Sequence, residues 1–229
     1  KIMITKNYIG LIPARSGSTG LKNKNLIKIN NKTLVELAVL NLINSKIVKN
    51  IYVSSNSNKI LKIARRVGAY VIKRPAKYSN SRSTATQVVK HFLSKIKTNK
   101  NDYLIYLQPS SPLKDSKHII SAIKLFEKKK ANTLLSCYFK ESEKFLKSFV
   151  IKKKKIKPLF KKFVVSNRQS LNKLIFPNGA IYIIKITKNV KSYGISFIDC
   201  IPYIMKENEV IDINNIGDLK MARKIFKKN

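Results

Sequence analysis

The sequence predicts an α/β fold: a doubly wound, mostly parallel sheet with helices on both faces. Three observations predict it. Short apolar runs alternate with amphipathic helical patterns over the first two-thirds of the 229 residues, as repeated βα units do. Three of those runs end in polar loops, ARSGSTG, SSNSN and QPSSPL, and ligands of such sheets bind at the carboxyl ends of strands. The length suits one large domain, residues 1–229, with a sizeable core.

The elements follow in order. Tyr8–Ala14 is a continuous apolar run, the pattern of a buried parallel strand. Leu34–Ile43 is apolar almost all round and reads as a buried helix with Thr33 as N-cap. A strand is expected at Ile51–Ser54, a helix at Asn58–Val67 ended by Gly68, and a strand at Ala69–Ile72. Ser83–Lys97 reads as a helix, Tyr103–Leu107 as a strand, and Asp115 or Ser116 as the cap of another helix. Thr133–Tyr138 is the next strand. The rhythm breaks over 139–177, where FVIKKKKIKPLF reads as a hairpin tipped by lysines 152–155. This insertion has little core of its own and is a candidate oligomerisation arm. The sheet resumes near Ala180–Ile186, VIDIN reads as strand-like, and a last helix is expected around Ile216–Phe226.

The net charge is +37, and such a charge attracts polyanions non-specifically. Only seven of the 48 basic residues are arginine, the side chain that forks phosphates and reads guanine edges. The lysines are spread along the whole chain, and Lys, Asn and Ile are all abundant, as an AT-rich coding sequence gives. No specific nucleic-acid partner is expected. No apolar run approaches a membrane span, and Pro13 and Arg15 cut short the only leader-like segment. Cys137 and Cys200 lack metal-ligand spacing and suit a reducing compartment. A cytoplasmic protein is expected.

ARSGSTG is neither a Walker A loop nor a dinucleotide fingerprint. Gly17 and Gly20 would still let backbone N–H groups approach an anion, and Arg15, Lys22 and Lys24 add charge. Alone, the loop reads equally as a phosphate cradle or a solvated basic loop. Gln108 in QPSSPL has an amide that suits a nucleobase edge, although a plain rigid turn fits as well. With eleven acids in all, a carboxylate site has few sources. Asp212 and Asn214 would share one face of a strand, and oxygen ligands suit Mg2+. Asp218 reads as an N-terminal helix charge. His91 and His118 have no partner pattern and are assigned structural or surface roles.

Taken together, IPARSGSTGLKNKNL, SSNSN, GAYVIKRPA, LQPSSPL, NRQSL, PNGAIYI and VIDINNIGDL resemble, in order and spacing, the acylneuraminate cytidylyltransferases (CMP-sialic acid synthetases). Their first βα turn carries an IPARxGSKGxxxKN signature. The resemblance covers nearly the whole chain. It implies a Rossmann-like sheet of the nucleotide-diphospho-sugar transferase type, with 139–177 as a dimerisation arm. It implies transfer of CMP from CTP to a nine-carbon sugar acid with release of pyrophosphate, with Mg2+ as cofactor and a homodimer as the working unit. By position, Ala14, Arg15, Ser16, Gly17, Lys24, Gln108 and Ser110 would bind the nucleotide. Arg15, Lys24 and Asp212 would carry catalysis, and Asp212 with Asn214 would hold the metal. Lys147, Arg168, Gln169 and Asn178 would bind the sugar acid.

Four positions depart from that pattern. Thr19 stands where the family has lysine, and Asn214 where it has a second metal-binding aspartate. Asn56 and a residue near Ser81 replace acids. Each lost transition-state contact of this kind costs about 2.7–4 kcal/mol. Lys22 and the neutral oxygen of Asn214 are the candidate substitutes. Two other readings stay open: a CMP-Kdo synthetase, whose first loop is similar to Ser18-Thr19 with Leu21 and Lys24, and a catalytically impaired polyanion binder.

Overall fold

The computed structural model describes residues 6–18, 20–99 and 101–227; Thr19 lies outside them. Eleven strands occur among the described residues: β1 (Asn7–Pro13), β2 (Lys28–Ile29), β3 (Lys32–Thr33), β4 (Asn50–Ser55), β5 (Tyr70–Lys73), β6 (Asp102–Leu107), β7 (Thr133–Lys140), β8 (Phe149–Lys152), β9 (Lys155–Pro158), β10 (Leu174–Lys185) and β11 (Cys200–Ile204). The helices are α1 (Leu34–Asn44), α2 (Asn58–Arg66), α3 (Ala85–Leu93), α4 (Ser116–Lys128), α5 (Glu143–Leu146), α6 (Lys188–Tyr193) and α7 (Ile216–Phe226).

The main sheet has seven strands in the order β11-β7-β10-β6-β1-β4-β5. All pairings are parallel except those of β10, which runs against β6 and β7. The expected doubly wound, mostly parallel sheet is therefore the observed one. The chain leaves β1 toward β4 on one side and returns to β6 on the other, so the switch of direction falls between β1 and β6. A crevice opens at such a point.

Alternation along β1 explains the two cores. Tyr8 and Ile12 face a core shared with Val35, Val39, Ile60, Ile119 and Phe126 of α1, α2 and α4. Ile9 and Leu11 face the opposite core with Val88, Val89, Phe92 and Val190 of α3 and α6. Gly10 lies on the α1 side, where a Cβ would come within 2.8 Å of Leu42 Cδ1. A third cluster, Ile29, Leu34, Ile213, Leu219 and Ala222, docks α7.

Three elements differ from expectation. The helix expected over 83–97 spans only Ala85–Leu93. Thr84 caps its start through Gln87, and Ser94 Oγ donates to the His91 carbonyl at 2.8 Å, closing its end. The strand expected near 180–186 begins at Leu174, with an irregularity between Pro177 and Tyr182. Pro177 has no N–H for the ladder, and Gly179 sits at φ +69°. Ser136 Oγ accepts the Ile181 N–H at 2.8 Å, and Asn178 Oδ1 accepts that of Ala180 at 3.0 Å. VIDIN is not a strand, because its Ile213 N–H goes to the Ser110 carbonyl of a loop.

The lysine-tipped hairpin forms as β8 and β9, a two-stranded sheet of its own. Lys153 and Lys154 turn it at φ 52° and 61°, the left-handed pair of a tight hairpin turn. Ile151 and Ile156, paired across it, are 82% and 70% exposed. No helix among the described residues is long and apolar enough to cross a membrane.

The start of α1 depends on a capping box. Glu36 accepts from Thr33 N at 2.7 Å, Thr33 Oγ1 at 2.6 Å and Arg66 Nη2 at 2.9 Å. Burial raises the Glu36 pKa, but the Thr33 and Arg66 hydrogen bonds outweigh it and leave the carboxyl below its usual value. That contribution is present above the unfolded carboxyl pKa of ~4.3 and is lost as pH falls through the folded value. Glu36→Gln is expected to lower stability by about 1–2 kcal/mol at pH 7. In urea melts the gap to the wild type should narrow below pH ~4.

Candidate active site

Three loops converge at the carboxyl ends of β1, β4 and β6. Each is held by main-chain and amide contacts. Ala14 N–H donates to the Ser54 carbonyl at 3.0 Å, carrying the sheet register into the first loop. Asn56 then grips Ser16 twice: its Oδ1 accepts the Ser16 N–H at 2.9 Å, and its Nδ2 donates to Ser16 Oγ at 2.8 Å. Buried Asn25 donates to the Arg15 carbonyl at 2.9 Å. Gly17 adopts φ +71°, open to any substituent sterically but left-handed, and Arg15 Nη1 reaches back to its carbonyl at 3.0 Å.

These loops enclose a cavity of about 530 Å3, lined among others by Arg15, Ser18, Lys24, Arg74, Gln108 and Asn214. Ser110 lines it too. Of the residues expected at the nucleotide, Ala14, Ser16 and Gly17 form its supporting loop, and Arg15, Lys24, Gln108 and Ser110 reach the cavity wall. Lys22, the candidate substitute cation, is exposed and is not part of that wall.

Asn214 lines the cavity and holds Asp212 beside it. Lys24 Nζ donates to Asn214 Oδ1 at 3.0 Å, and Asn214 Nδ2 donates to Asp212 Oδ2 at 2.9 Å. Asp212 Oδ1 is buried with no hydrogen-bond partner. Burial depresses the Lys24 pKa below that of an ordinary lysine; Asp212 opposes the shift and Arg15 adds to it. No group of three or more His, Cys, Asp or Glu placed to hold a metal ion occurs among the described residues. A single carboxylate with a free oxygen, beside an amide, fits an ion that takes most of its ligands from water and phosphate.

Two site residues were not singled out from the sequence. Arg74 is 3% exposed, lines the cavity and donates from Nε to Ser79 Oγ at 3.0 Å. Burial lowers its pKa, with Tyr106 raising it and Arg15 lowering it further. Arginine before proline at the end of a strand was the available signal. Lys114, wholly buried behind Gln108, gave none.

Of the expected sugar-acid residues, Lys147, Arg168 and Gln169 are not part of that cavity's wall, whereas Asn178 precedes Gly179, where a Cβ would lie 3.3 Å from Gln108 Nε2. Arg168 Nε and Lys147 Nζ lie 3.4 Å and 3.5 Å from the Glu143 carboxylate. Arg168 lines a second cavity with Phe139, Phe145, Lys173, Phe176 and Glu207. Gln169 is exposed in a short 3-10 turn. Asn178 is buried in the β10 irregularity, accepting from Ser136 Oγ at 2.5 Å. His118 caps α4 with Asp115 and meets Glu209 at 3.2 Å, and His91 is buried against Tyr78, both structural.

A mostly parallel sheet with a cationic cavity at its switch point is the arrangement of a ligand-binding α/β protein. Residues 9–175 match the family model described as Cytidylyltransferase, and the chain belongs to that family. An N-acylneuraminate cytidylyltransferase of Escherichia coli is 29% identical over 96% of this chain and 52% of its own length. A Campylobacter coli protein, "Post-translational flagellin modification protein B", is 28% identical over 95% of this chain and 94% of its own. The chain thus spans about half of the first relative and nearly all of the second. A CMP:2-keto-3-deoxy-manno-octonic acid synthetase structure with CTP has a TM-score of 0.70 at 13% identity, over 97% of this chain and 99% of the other. At that identity the likeness is one of fold.

Gly20 is the tightest point of the site. A Cβ there would lie 2.1 Å from the Asn214 carbonyl oxygen, which is backbone and cannot turn aside. Gly20→Ala is expected to push the first loop away from residue 214 and, if the cavity takes CTP, to weaken that binding by about ten-fold or more. Isothermal titration against the wild type would measure it.

Proposed function

We propose that this chain is a Mg2+-dependent cytidylyltransferase that joins CTP to an acylneuraminate-like nine-carbon sugar acid, of the sialic, legionaminic or pseudaminic kind. The observation that carries the reading is the cavity lined by Arg15, Lys24 and Arg74 and by Asn214, whose amide binds an Asp212 carboxylate with one oxygen left unpartnered. The sugar hydroxyl attacks the α-phosphorus of CTP: a P–O bond forms, the bond to the departing pyrophosphate breaks, and the hydroxyl proton passes to solvent. Arg15 and Lys24 stand where triphosphate charge needs neutralising. Gln108 presents an amide to the base. Asp212, with Asn214, would hold Mg2+, which when bound neutralises phosphate charge and orients the leaving group.

The working unit is proposed to be a homodimer. Arg168 lines a different cavity from the nucleotide loops, Lys147 pairs with Glu143 of that lining, and the arm exposes Phe149, Ile151, Ile156 and Val165. An arm crossing to a second copy would cover those side chains and bring the two cations to a partner's nucleotide cavity. Free Cys137 and Cys200 and the need for CTP favour the cytoplasm.

Pyrophosphate release from CTP with a panel of nine-carbon sugar acids and Kdo tests the reading. Turnover with at least one nine-carbon acid is expected. No turnover with any of them at saturating Mg2+ would overturn it, and turnover with Kdo alone would replace the substrate class.

Asn214 sets a separate expectation. Its side-chain oxygen is already held by Lys24, which leaves Asp212 as the one carboxylate for the metal. Asn214→Asp should lower the Mg2+ concentration for half-maximal activity. It should also tighten Mn2+ binding without nucleotide by about ten-fold, read by electron paramagnetic resonance.

A further inference from the structure

One buried cation, Lys114, takes no part in the proposed chemistry. Lys114 is 1% exposed, among the largest fully buried side chains of the protein. Its ammonium donates to the Gln108 carbonyl and to the Ser111 carbonyl, the latter at 2.5 Å. Burying an ammonium is costly unless its protons are taken up. Here burial lowers the pKa to about 7, while Asp212 pulls it upward. The main chain of Lys114 is also held: Asn41 Nδ2 of α1 donates to its carbonyl at 2.7 Å.

The geometry extends beyond the loop. Ser110 lies between the two carbonyls that Lys114 binds, and its own carbonyl accepts the Ile213 N–H at 2.8 Å. Ile213 is fully buried, and Asp212 and Asn214 flank it. A continuous hydrogen-bonded chain therefore runs from the ammonium, through the Gln108–Ser111 turn, to the segment that bears Asp212. An apolar side chain at 114 would fill the same space and leave two interior carbonyls unsatisfied. QPSSPL contributes two prolines that stiffen the turn, but no proline supplies a donor to those carbonyls.

We propose that Lys114 is a positioning residue: it closes the Gln108–Ser111 turn from within, and so sets the places of Gln108 on the cavity wall and of the 212–214 segment, whose Asn214 lines the same cavity and binds Asp212. Its effect on turnover rests on the cytidylyltransferase reading, whereas its effect on the ligand-free loops does not. Amide hydrogen exchange on the full chain without ligand is therefore measured for wild type, Lys114→Met and Lys114→Arg, beside CTP kinetics.

In Lys114→Met the Ile213 amide should exchange about ten-fold faster or more, with β6 amides unchanged. The KM for CTP should rise by a similar factor, while Lys114→Arg, which keeps the donors, should restore both within a few-fold. Unchanged Ile213 exchange would overturn the proposal. Equal acceleration across β6 would also overturn it, since Lys114 would then be a core stabiliser only. Should Lys114→Met not fold, Lys114→Gln, which can serve one carbonyl, takes its place under the same criteria. Faster Ile213 exchange in a protein whose wild type does not bind CTP would uphold the staple and sink the functional reading instead.

Discussion

One backbone hydrogen bond, from the Ile213 N–H to the Ser110 carbonyl at 2.8 Å, holds the cavity together. Residues 210–214 have no strand partner, so no ladder fixes their register. Their position depends on that bond, on burial of the Ile213 side chain in the α7 cluster, and on the Asn215–Asp218 capping box just beyond. The apolar burial is worth about 1.5–3 kcal/mol and the bond about 0.5–1.5 kcal/mol. With Ile213 fixed, Asp212 and Asn214 must project toward the first loop. Lys24 and the backbone at Gly20 then meet them from the other side. The first loop, the QPSSPL loop and the last segment are thus one unit, although 190 residues separate Lys24 from Asn214.

The charge of the chain makes its few acids informative. Most of those in the fold have structural partners. Glu36 binds Thr33 and Arg66, Asp102 binds Asn7 and the Asn99 N–H, and Glu127 accepts from buried Tyr8. Asp115 and Glu209 flank His118, Glu143 faces Lys147 and Arg168, and Asp218 caps α7. Asp212 differs: one oxygen accepts an amide and the other is buried without a partner. A protein with 48 basic residues leaves that oxygen unpaired beside Lys24 and Lys114. Cations in the neighbourhood make a carboxylate there tolerable, and the free oxygen marks the place for a further ligand.

Local signals made much of this legible. Thr33, Asp115 and Gly68 marked helix ends because capping is a matter of neighbouring residues. Apolar runs and their following polar loops placed β1, β4 and β6 and the site at their ends. The tight turn of the arm hairpin also fell within the lysine run. The misread parts are those decided at a distance. VIDIN alternates like a strand, but its N–H groups face a loop and not a strand edge. Lys114 reads as one more surface lysine in a lysine-rich chain, and only the fold shows that two carbonyls draw it inside. Arg74 was similarly hidden: its burial depends on Ser79 and on the packing of the following turn.

Asn56 shows how an amide at the position of an acid changes the chemistry available next to it. The Ser16 N–H requires an acceptor, which fixes Oδ1 toward the main chain and leaves Nδ2 to donate to Ser16 Oγ. A carboxylate at this place would offer acceptors only, and the Ser16 hydroxyl would turn its proton toward it. With Asn56 the hydroxyl is instead the acceptor, and its proton remains free to be given to an anion. The same substitution at 214 works in reverse. There the amide oxygen accepts a hydrogen bond from Lys24, and the amide nitrogen ties the pair to Asp212. One amide thus frees a donor on the first loop, while the other joins a cation to the Asp212 carboxylate. Both operate without adding negative charge to a cavity whose ligand is expected to be a polyanion.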